Sequence, residues 1–216
     1  MNPRAQPLTL AGPAGAIEAL LDLPEADLFD APRGTAVIAH PHPLFGGAMN
    51  NKVVHTLARA FAQCGWRAVR FNFRGVGASA GSYDEGRGEL QDLLAVAAQQ
   101  APAGAPLALA GFSFGAFVAA QAAGALHEAG RDIASLVLAG TAAGRFAVAP
   151  LPPALRERAL IVHGELDETV PLAAVLDWAR PQSLPVTVVP GGEHFFHGQL
   201  PLLRSLAARH VRGCLL

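Results

Sequence analysis

The sequence has little charge, almost no cysteine and no long apolar run, and each shortage excludes a class of protein. Charged residues are 15% of the 216, and 16 basic residues face 17 acidic ones, so no basic field is present that would hold nucleic acid or an anionic membrane. Cys64 and Cys214, the two cysteines, are too few for a disulfide framework or a zinc site, and free thiols indicate a reducing compartment. No window reaches about 18 uninterrupted apolar residues, the length of a membrane-spanning helix.

Apolar residues are abundant, because 51% of the chain belongs to the hydrophobic set and 23 glycines come in addition. This composition excludes a disordered chain, and the length suits a single domain over residues 1–216. The first fifteen residues contain prolines and lack the apolar segment of a secretion signal. We therefore expect a cytoplasmic protein with no membrane partner, either a monomer or a homodimer.

The fold class is predicted to be α/β. From residue 35 onward, short β-branched runs alternate with longer Ala- and Leu-rich stretches of helical period, which predicts parallel strands joined by crossover helices on both faces of a sheet. The N-terminal segment predicts an antiparallel hairpin at the edge of the sheet, with strands at 7–10 and 16–23. The other predicted strands are 35–40, 66–73, 107–112, 134–140, 158–163 and 185–190. The predicted helices are 52–64, 88–100, 114–129, 172–179 and 201–212, and prolines at 150–153 predict a surface loop.

A candidate nucleophile lies between a predicted strand and a predicted helix. Residues 111–115 read Gly-Phe-Ser-Phe-Gly, which matches the G-x-S-x-G motif in the strand-to-helix context that the motif requires. Ser113 would occupy a strained turn, and the flanking glycines would leave its Oγ exposed. The helix N-terminus would supply free N–H groups and a positive dipole for a developing oxyanion.

A serine nucleophile needs a base, and the base needs an acid that orients it. Asp167 follows the strand at 158–163, and His194 follows the last strand, so both are expected at the carboxyl edge of the sheet in the chain order Ser, Asp, His. Rival candidates are Glu165 and Glu168 for the acid and His197 for the base. We interpret His163 as a structural histidine beside the site.

These motifs resemble the α/β-hydrolase superfamily, and the likeness runs from about residue 35 to the C-terminus. Residues 163–171 read HGELDETVP, residues 191–194 read GGEH, and residues 72–79 read NFRGVGAS, which is similar to the D-x-R-G-x-G-x-S segment of that superfamily. The run HPHPLFGG at 40–47 resembles a group of small bacterial hydrolases without a lid. The resemblance implies hydrolysis through an acyl-enzyme intermediate.

The resemblance also implies an oxyanion hole. One donor would be the backbone N–H of Phe114, the residue after the nucleophile, and the other would come from the loop after the first parallel strand. In that loop Pro41 and Pro43 have no N–H. The second donor is therefore His42 or Leu44, and we choose His42 by its position relative to His40.

Three other interpretations are weaker. Residues 75–80 fit a loose dinucleotide fingerprint, but a turn continues to about Gly88 where a helix should begin, so no cofactor is expected. The imidazoles of His40, His42 and His163 could in principle hold zinc, but the complete serine, aspartate and histidine set makes a metal redundant. A hydrolase fold kept only for binding would retain the same residue types without turnover. Arg74 and Ser79 are interpreted as structural.

In the superfamily a cap usually follows the sixth strand, and here only residues 141–157 separate that strand from the next. Seventeen residues with three prolines are too few for a substantial lid. The site should then be shallow, which favours a small-molecule acyl substrate over long lipids. Leu44, Phe45, Phe146 and Phe195 either wall this site or are ordinary packing. The predicted activity is hydrolysis of small carboxylic esters; thioester, lactone (dienelactone-type) and small-peptide hydrolysis are the alternatives.

Overall fold

A computed structural model describes residues 5–24 and 28–214 of the chain. Its strands form one eight-stranded sheet in the order β1-β2-β4-β3-β5-β6-β7-β8. The strands from β3 to β8 run parallel to one another. The expected domain over 1–216 includes residues 1–4, 25–27 and 215–216, which lie outside the described residues. The strands are β1 Gln6–Gly12, β2 Gly15–Asp22, β3 Thr35–Ala39, β4 Arg67–Phe71, β5 Leu107–Phe112, β6 Ser135–Ala139, β7 Ala159–Gly164 and β8 Val186–Val189.

The N-terminal edge of the sheet is antiparallel, as predicted. Strand β1 pairs with β2 from Gln6 opposite Leu21 to Gly12 opposite Gly15, and β2 in turn pairs antiparallel with β4. The prediction placed these strands at 7–10 and 16–23, so the turn was correct and the first strand is longer than expected. The mostly parallel sheet with an antiparallel edge is thereby confirmed.

Helices cover both faces of the sheet. Side chains of α1 and α6 join one core cluster, and those of α2, α3 and α5 join the cluster on the opposite face. Neighbouring residues of one strand alternate between the clusters: Val37 belongs to one, and Ala36 and Ile38 belong to the other. Both faces of the strands are therefore apolar, as the continuous runs predicted. The helices are α1 Lys52–Gln63, α2 Arg87–Gln100, α3 Phe114–Glu128, α4 Pro153–Arg156, α5 Leu172–Ala179 and α6 Leu200–Gly213.

Local hydrogen bonds fix where two of the helices begin. The Oδ1 of Asn51 accepts from the backbone N–H of Val53 at 2.8 Å, which caps α1. The carboxylate of Glu89, in the first turn of α2, accepts from the N–H groups of Asp84 and Gly86, both at 2.8 Å. The helix therefore begins at Arg87, one residue before the predicted start.

The connection between β6 and β7 is short, and it carries no lid. The predicted surface loop at 150–153 is in part wrong, because α4 begins at Pro153 and its Leu155 is buried together with Leu151. The prolines permit one helical turn because proline is tolerated at the first position of a helix. A single helical turn is too short to form a substantial lid.

Candidate active site

Ser113 occupies the turn between β5 and α3. Its backbone has φ 57° and ψ −116°, and a side chain in this left-handed region costs about 1–3 kcal/mol unless its surroundings hold it. The N–H of Ser113 donates to the carbonyl oxygen of Ala139 on β6 at 2.9 Å. Ser113 as a whole residue is 8% exposed, so the turn that holds it is largely buried.

Gly111 and Gly115 are required by close backbone approaches. A Cβ on Gly111 would overlap the carbonyl group of Gly115. A Cβ on Gly115 would overlap the carbonyl oxygens of Ala39 and His40 at the end of β3. The two glycines therefore let α3 begin directly above β3 and β5, which is what presents Ser113 at the edge of the sheet.

The structure brings His194 and Asp167 to Ser113. The Nε2 of His194 lies 3.0 Å from the Oγ of Ser113, and its Nδ1 lies 2.6 Å from the Oδ2 of Asp167. His194 is 81 positions from Ser113 and 27 positions from Asp167 along the chain. Asp167 follows β7 and His194 follows β8, so the parallel sheet brings all three to one edge, where the sequence predicted them.

Asp167 is held as a carboxylate. Its Oδ1 accepts from the backbone N–H groups of Thr169 at 2.9 Å and Val170 at 2.7 Å. Burial raises the pKa of Asp167, but the hydrogen bonds from His194 and Val170 outweigh burial, so the pKa lies below its ordinary value. An ionised carboxylate at this position fixes the tautomer of His194 with its proton on Nδ1.

His163 touches the acid from the strand side. Its Nε2 donates to the carbonyl oxygen of Val170 at 2.8 Å and lies 3.3 Å from the Oδ2 of Asp167. Burial lowers the pKa of His163 more than these contacts raise it, so its ring is neutral. This position beside the site agrees with the structural role expected for His163.

The rival residues bind elsewhere. The carboxylate of Glu165 accepts from the N–H of Gly191 at 2.8 Å, and Glu168 is exposed. The Nδ1 of His197 lies 3.1 Å from the carboxylate of Glu193 on the surface. The contacts with Ser113 are therefore made by His194 and, through it, by Asp167.

Two residues that the sequence analysis did not single out pack against the His194 ring. The ring of Phe112 lies against this imidazole, with centroids 4.9 Å apart. A Cβ built on Gly140, whose φ is 54°, would stand 3.3 Å from the Cε1 of His194. The signal was available for Phe112, which is the second residue of the G-x-S-x-G motif, but the sequence contains no sign that Gly140 faces the imidazole.

The loop after β3 brings His42 beside the first turn of α3. The Nδ1 of His42 accepts from the backbone N–H of Leu44 at 3.2 Å, so that N–H is already used. The ring of His42 lies on that of Phe114, with centroids 5.0 Å apart, and burial lowers the pKa of His42. The backbone N–H of Phe114 opens α3 and has no acceptor within the helix. The N–H of Leu44 is thus bound within its own loop, and the role of the His42 and Phe114 N–H groups as oxyanion donors stays a prediction.

His40 anchors this loop from below. Its Nε2 accepts from the N–H of Phe73 at 3.0 Å, so its Nδ1 carries the proton and donates to the carbonyl oxygen of Pro41 at 2.6 Å. Burial lowers the pKa of His40 to about 4. Both ring nitrogens are occupied by the backbone, which removes His40 from the set of imidazoles considered for zinc. In the described part of the chain, no three His, Cys, Asp or Glu side chains gather as metal ligands.

The segment 72–79 ties the loops together. Asn72 accepts from the N–H of Met49 at 2.9 Å and donates to the carboxylate of Glu18 at 2.7 Å, which links the His42 loop to β2. Arg74 binds Asp92 through both carboxylate oxygens, and Ser79 donates to the carbonyl oxygen of Asn72 at 2.7 Å. These bonds bear out the structural interpretation of Arg74 and Ser79. The glycine-rich turn does not lead directly into a helix, because residues 81–86 separate it from the start of α2 at Arg87, whereas a dinucleotide loop opens a helix.

Four large apolar side chains are exposed on the loops that carry the site residues. Leu44 is 66% exposed, Phe45 85%, Leu166 60% and Phe195 43%, and each lies on a loop that also carries a site residue. Phe146, the remaining residue of the predicted wall, packs against the core and stacks on Phe117 at 4.9 Å. We call Leu44, Phe45, Leu166 and Phe195 the apolar rim. An exposed apolar cluster of this kind indicates a binding surface.

The described residues, 5–24 and 28–214, include no helix that is both long and apolar enough to cross a membrane.

The model of the serine aminopeptidase S33 family matches residues 30–185 of the chain. This match contains Ser113 and Asp167 and ends before His194.

Two solved structures and one curated relative resemble this chain. An α/β serine hydrolase without a lid from Xanthomonas campestris is 40% identical, with a TM-score of 0.85, over 99% of this chain and 96% of that one. An α/β serine hydrolase homologue from Coxiella burnetii is 38% identical, with a TM-score of 0.78, over 94% of this chain and 96% of that one. An uncharacterized protein from Rickettsia prowazekii is 44% identical over 89 residues, which are 40% of this chain and 37% of that protein. The match therefore spans little more than a third of that relative.

Proposed function

Since the chain belongs to the α/β serine hydrolases, we propose that it cleaves small carboxylic esters through Ser113, His194 and Asp167. The observation that carries this proposal is the pair of short contacts from Ser113 Oγ to His194 Nε2 and from His194 Nδ1 to Asp167 Oδ2, at 3.0 and 2.6 Å. Distances of this size are what proton transfer between a nucleophile and its base requires.

The reaction begins when His194 Nε2 removes the proton of Ser113 as Oγ attacks the carbonyl carbon of the ester. Asp167 keeps the Nδ1 proton of the imidazole in place and stabilises the imidazolium that forms. The C=O bond becomes a single bond to an oxyanion. The backbone N–H groups of Phe114 and His42 donate to this oxygen, and the helix dipole of α3 adds to its stabilisation.

The tetrahedral intermediate then releases the alcohol. His194 returns its proton to the leaving oxygen, and an acyl group remains on Ser113. Water enters from the open edge of the sheet, loses a proton to His194 and attacks the acyl carbon. The second tetrahedral intermediate collapses to the carboxylic acid and regenerates the Ser113 hydroxyl.

The apolar rim favours an acyl or aryl group over a charged one. Each of its four side chains would lose water on binding a hydrocarbon group, at about 25 cal/mol for each Å² covered. With no lid above it, the rim covers only one side of a substrate. Short acyl chains would therefore gain most of the available contact, and longer chains would extend into water.

Peptide hydrolysis is the second candidate, because the matching family model is that of serine aminopeptidases. An aminopeptidase has to bind a free α-amino group beside the nucleophile, usually with a carboxylate. Glu168 is the exposed carboxylate beside Asp167. On the loops of Asp167 and His194, Leu166 and Phe195 are exposed apolar side chains, and the carboxylates of Glu165 and Glu193 are bound to Gly191 and His197. These contacts favour the ester.

A fluorophosphonate probe tests the nucleophile. The wild-type protein should be labelled, and Ser113→Ala should not be labelled and should lose at least about a thousandfold in kcat on p-nitrophenyl acetate. Ser205→Ala, which changes an exposed serine of α6, is the matched control and should behave as the wild type. An unlabelled wild-type protein would support a binding role without turnover.

The acyl group is tested with p-nitrophenyl acetate and butyrate against p-nitrophenyl esters of amino acids that have a free amino group, so that the leaving group is the same in all of them. The proposal expects a higher kcat/KM on the simple acyl esters. A higher kcat/KM on the aminoacyl esters would overturn the assignment and favour the aminopeptidase.

A further inference from the structure

A cavity lies outside the residues of the proposed reaction. It has a volume of about 340 Å³ and is open to solvent between the first turns of α1 and α6. Helix α1 follows the loop of His42, and α6 follows the loop of His194, so the cavity borders both loops. It is lined by Asn50, Lys52, His55, Thr56, Arg59, Arg70, Leu200, Pro201 and Arg204.

The charged side chains that line this cavity are positive. Lys52, the only lysine of the chain, lines it together with Arg59 and Arg204, and among the described residues no aspartate or glutamate belongs to the lining. Within residues 5–24 and 28–214, these three cations have no carboxylate partner, whereas Arg70 is paired with Asp22 at 2.7 Å. The chain as a whole has a net charge of −1, so the positive charge is concentrated locally.

One buried polar atom in the lining also lacks a partner. The Nε2 of His55 is buried and makes no hydrogen bond with any described residue. Burial and the positive charges of Arg70 and Arg59 lower the pKa of His55, although Asp22 acts in the opposite direction. The ring is therefore neutral and can donate one hydrogen bond from a nitrogen. The enclosed Nε2 would reach a ligand in the open cavity only after the ring rotates, so the cations carry the argument for binding.

We propose that this cavity binds the phosphoryl group of a small phosphorylated molecule. Three unpaired cations around one space match a phosphate dianion better than a single carboxylate, because charge-assisted hydrogen bonds from several donors can converge on its oxygens. The volume exceeds that of a phosphate ion, and Leu200 and Pro201 provide an apolar wall. The remaining space would hold a small organic part. The site would bind its ligand whether or not Ser113 reacts.

Calorimetric titration at constant ionic strength tests the proposal with inorganic phosphate and glycerol 3-phosphate. Constant ionic strength is needed because added salt screens the cations by itself. Lys52→Gln and Arg204→Gln should each weaken binding at least about tenfold, since each removes a charge-assisted hydrogen bond. Arg209→Gln, which removes an exposed arginine of α6 outside the cavity, should leave the affinity unchanged.

Binding by Ser113→Ala separates this site from the proposed reaction, because that variant should bind phosphate as tightly as the wild type does. The ring proton signals of His55 should shift on titration with phosphate, and a His55→Gln variant assigns them. Absence of saturable binding by the wild type, or an unchanged affinity in both Lys52→Gln and Arg204→Gln, would overturn the proposal. Co-sedimentation with phosphatidylcholine vesicles that contain phosphatidic acid, without binding of glycerol 3-phosphate, would overturn it in favour of a lipid headgroup.

Discussion

Replacing Asp167 by asparagine tests which nitrogen of His194 carries the proton. In the wild type, Oδ1 of Asp167 accepts two backbone N–H groups, from Thr169 at 2.9 Å and Val170 at 2.7 Å. Its Oδ2 faces Nδ1 of His194 at 2.6 Å. An asparagine has one carbonyl oxygen. If its NH₂ group pointed at the N–H groups of Thr169 and Val170, three hydrogen-bond donors would face one another without an acceptor. The oxygen therefore stays on the backbone side, and the NH₂ faces His194.

An NH₂ group facing Nδ1 reverses the tautomer. Nδ1 has to accept, so the ring proton moves to Nε2, which lies 3.0 Å from Ser113 Oγ. A protonated Nε2 cannot take the proton of the hydroxyl. We expect kcat to fall by about 10⁴, which corresponds to about 5 kcal/mol of activation free energy. KM should change little, because the carboxylate of Asp167 is buried and does not face the opening.

The assay is steady-state hydrolysis of p-nitrophenyl acetate, with circular dichroism and urea unfolding to show that Asp167→Asn is folded. Glu165→Gln and Glu168→Gln are the matched controls, because both are acids of the same loop. Each should keep its kcat within a few-fold of the wild type. If Asp167→Asn kept more than about a tenth of kcat, or if a control lost as much as it did, the assignment of the acid would be refuted.

Three further predictions concern stability and specificity. Gly115→Ala should lower the free energy of unfolding, measured in urea, by about 1–3 kcal/mol, because its Cβ would overlap backbone carbonyls. A Cβ at Gly124, on the same helix, would meet nothing within 4 Å, so Gly124→Ala should stabilise the protein by about 0.5–1 kcal/mol. An equal loss in both variants would contradict this reasoning. The folded-state pKa of His40 is lowered to about 4, so its contribution is present above the unfolded-state pKa of about 6.5 and is lost as pH falls through about 4. Urea unfolding between these pH values should show a decrease of about 3 kcal/mol that His40→Gln lacks, and identical pH profiles would exclude His40 as its source. Phe45→Ser and Phe195→Ser should each lower kcat/KM about fivefold more for p-nitrophenyl butyrate than for the acetate, whereas equal losses would show that the rim does not hold the acyl chain.

The sequence predicted the parts of the fold that local pattern encodes. Strand β5, α3 and the turn at Ser113 lie consecutively along the chain, and their apolar run, glycines and alanine-rich helix identify them without any tertiary information. The edge hairpin was also predicted, because its turn residues mark it. The helix α4 was missed, since a proline-rich segment of one helical turn has the composition of a loop.

The remaining details of the site depend on contacts between distant residues. The sequence analysis chose Asp167 with Glu165 and Glu168 as rivals, but only the fold shows that Asp167 contacts His194 while Glu165 binds Gly191. The bond from Asn72 to Glu18 joins residues 54 positions apart. The bond from the N–H of Leu44 to the side chain of His42 also appears only in the structure, and it bears on which of these two residues would serve as an oxyanion donor.

The short connection between β6 and β7 also affects how the proposed enzyme would be regulated. Without a flap to move, neither substrate arrival nor product departure waits for a conformational change. Turnover should then be governed by the chemical steps, and we expect no activation when substrate is presented at an oil–water interface. Discrimination between esters would have to arise in the transition state, since there is no lid that could select among them when they bind.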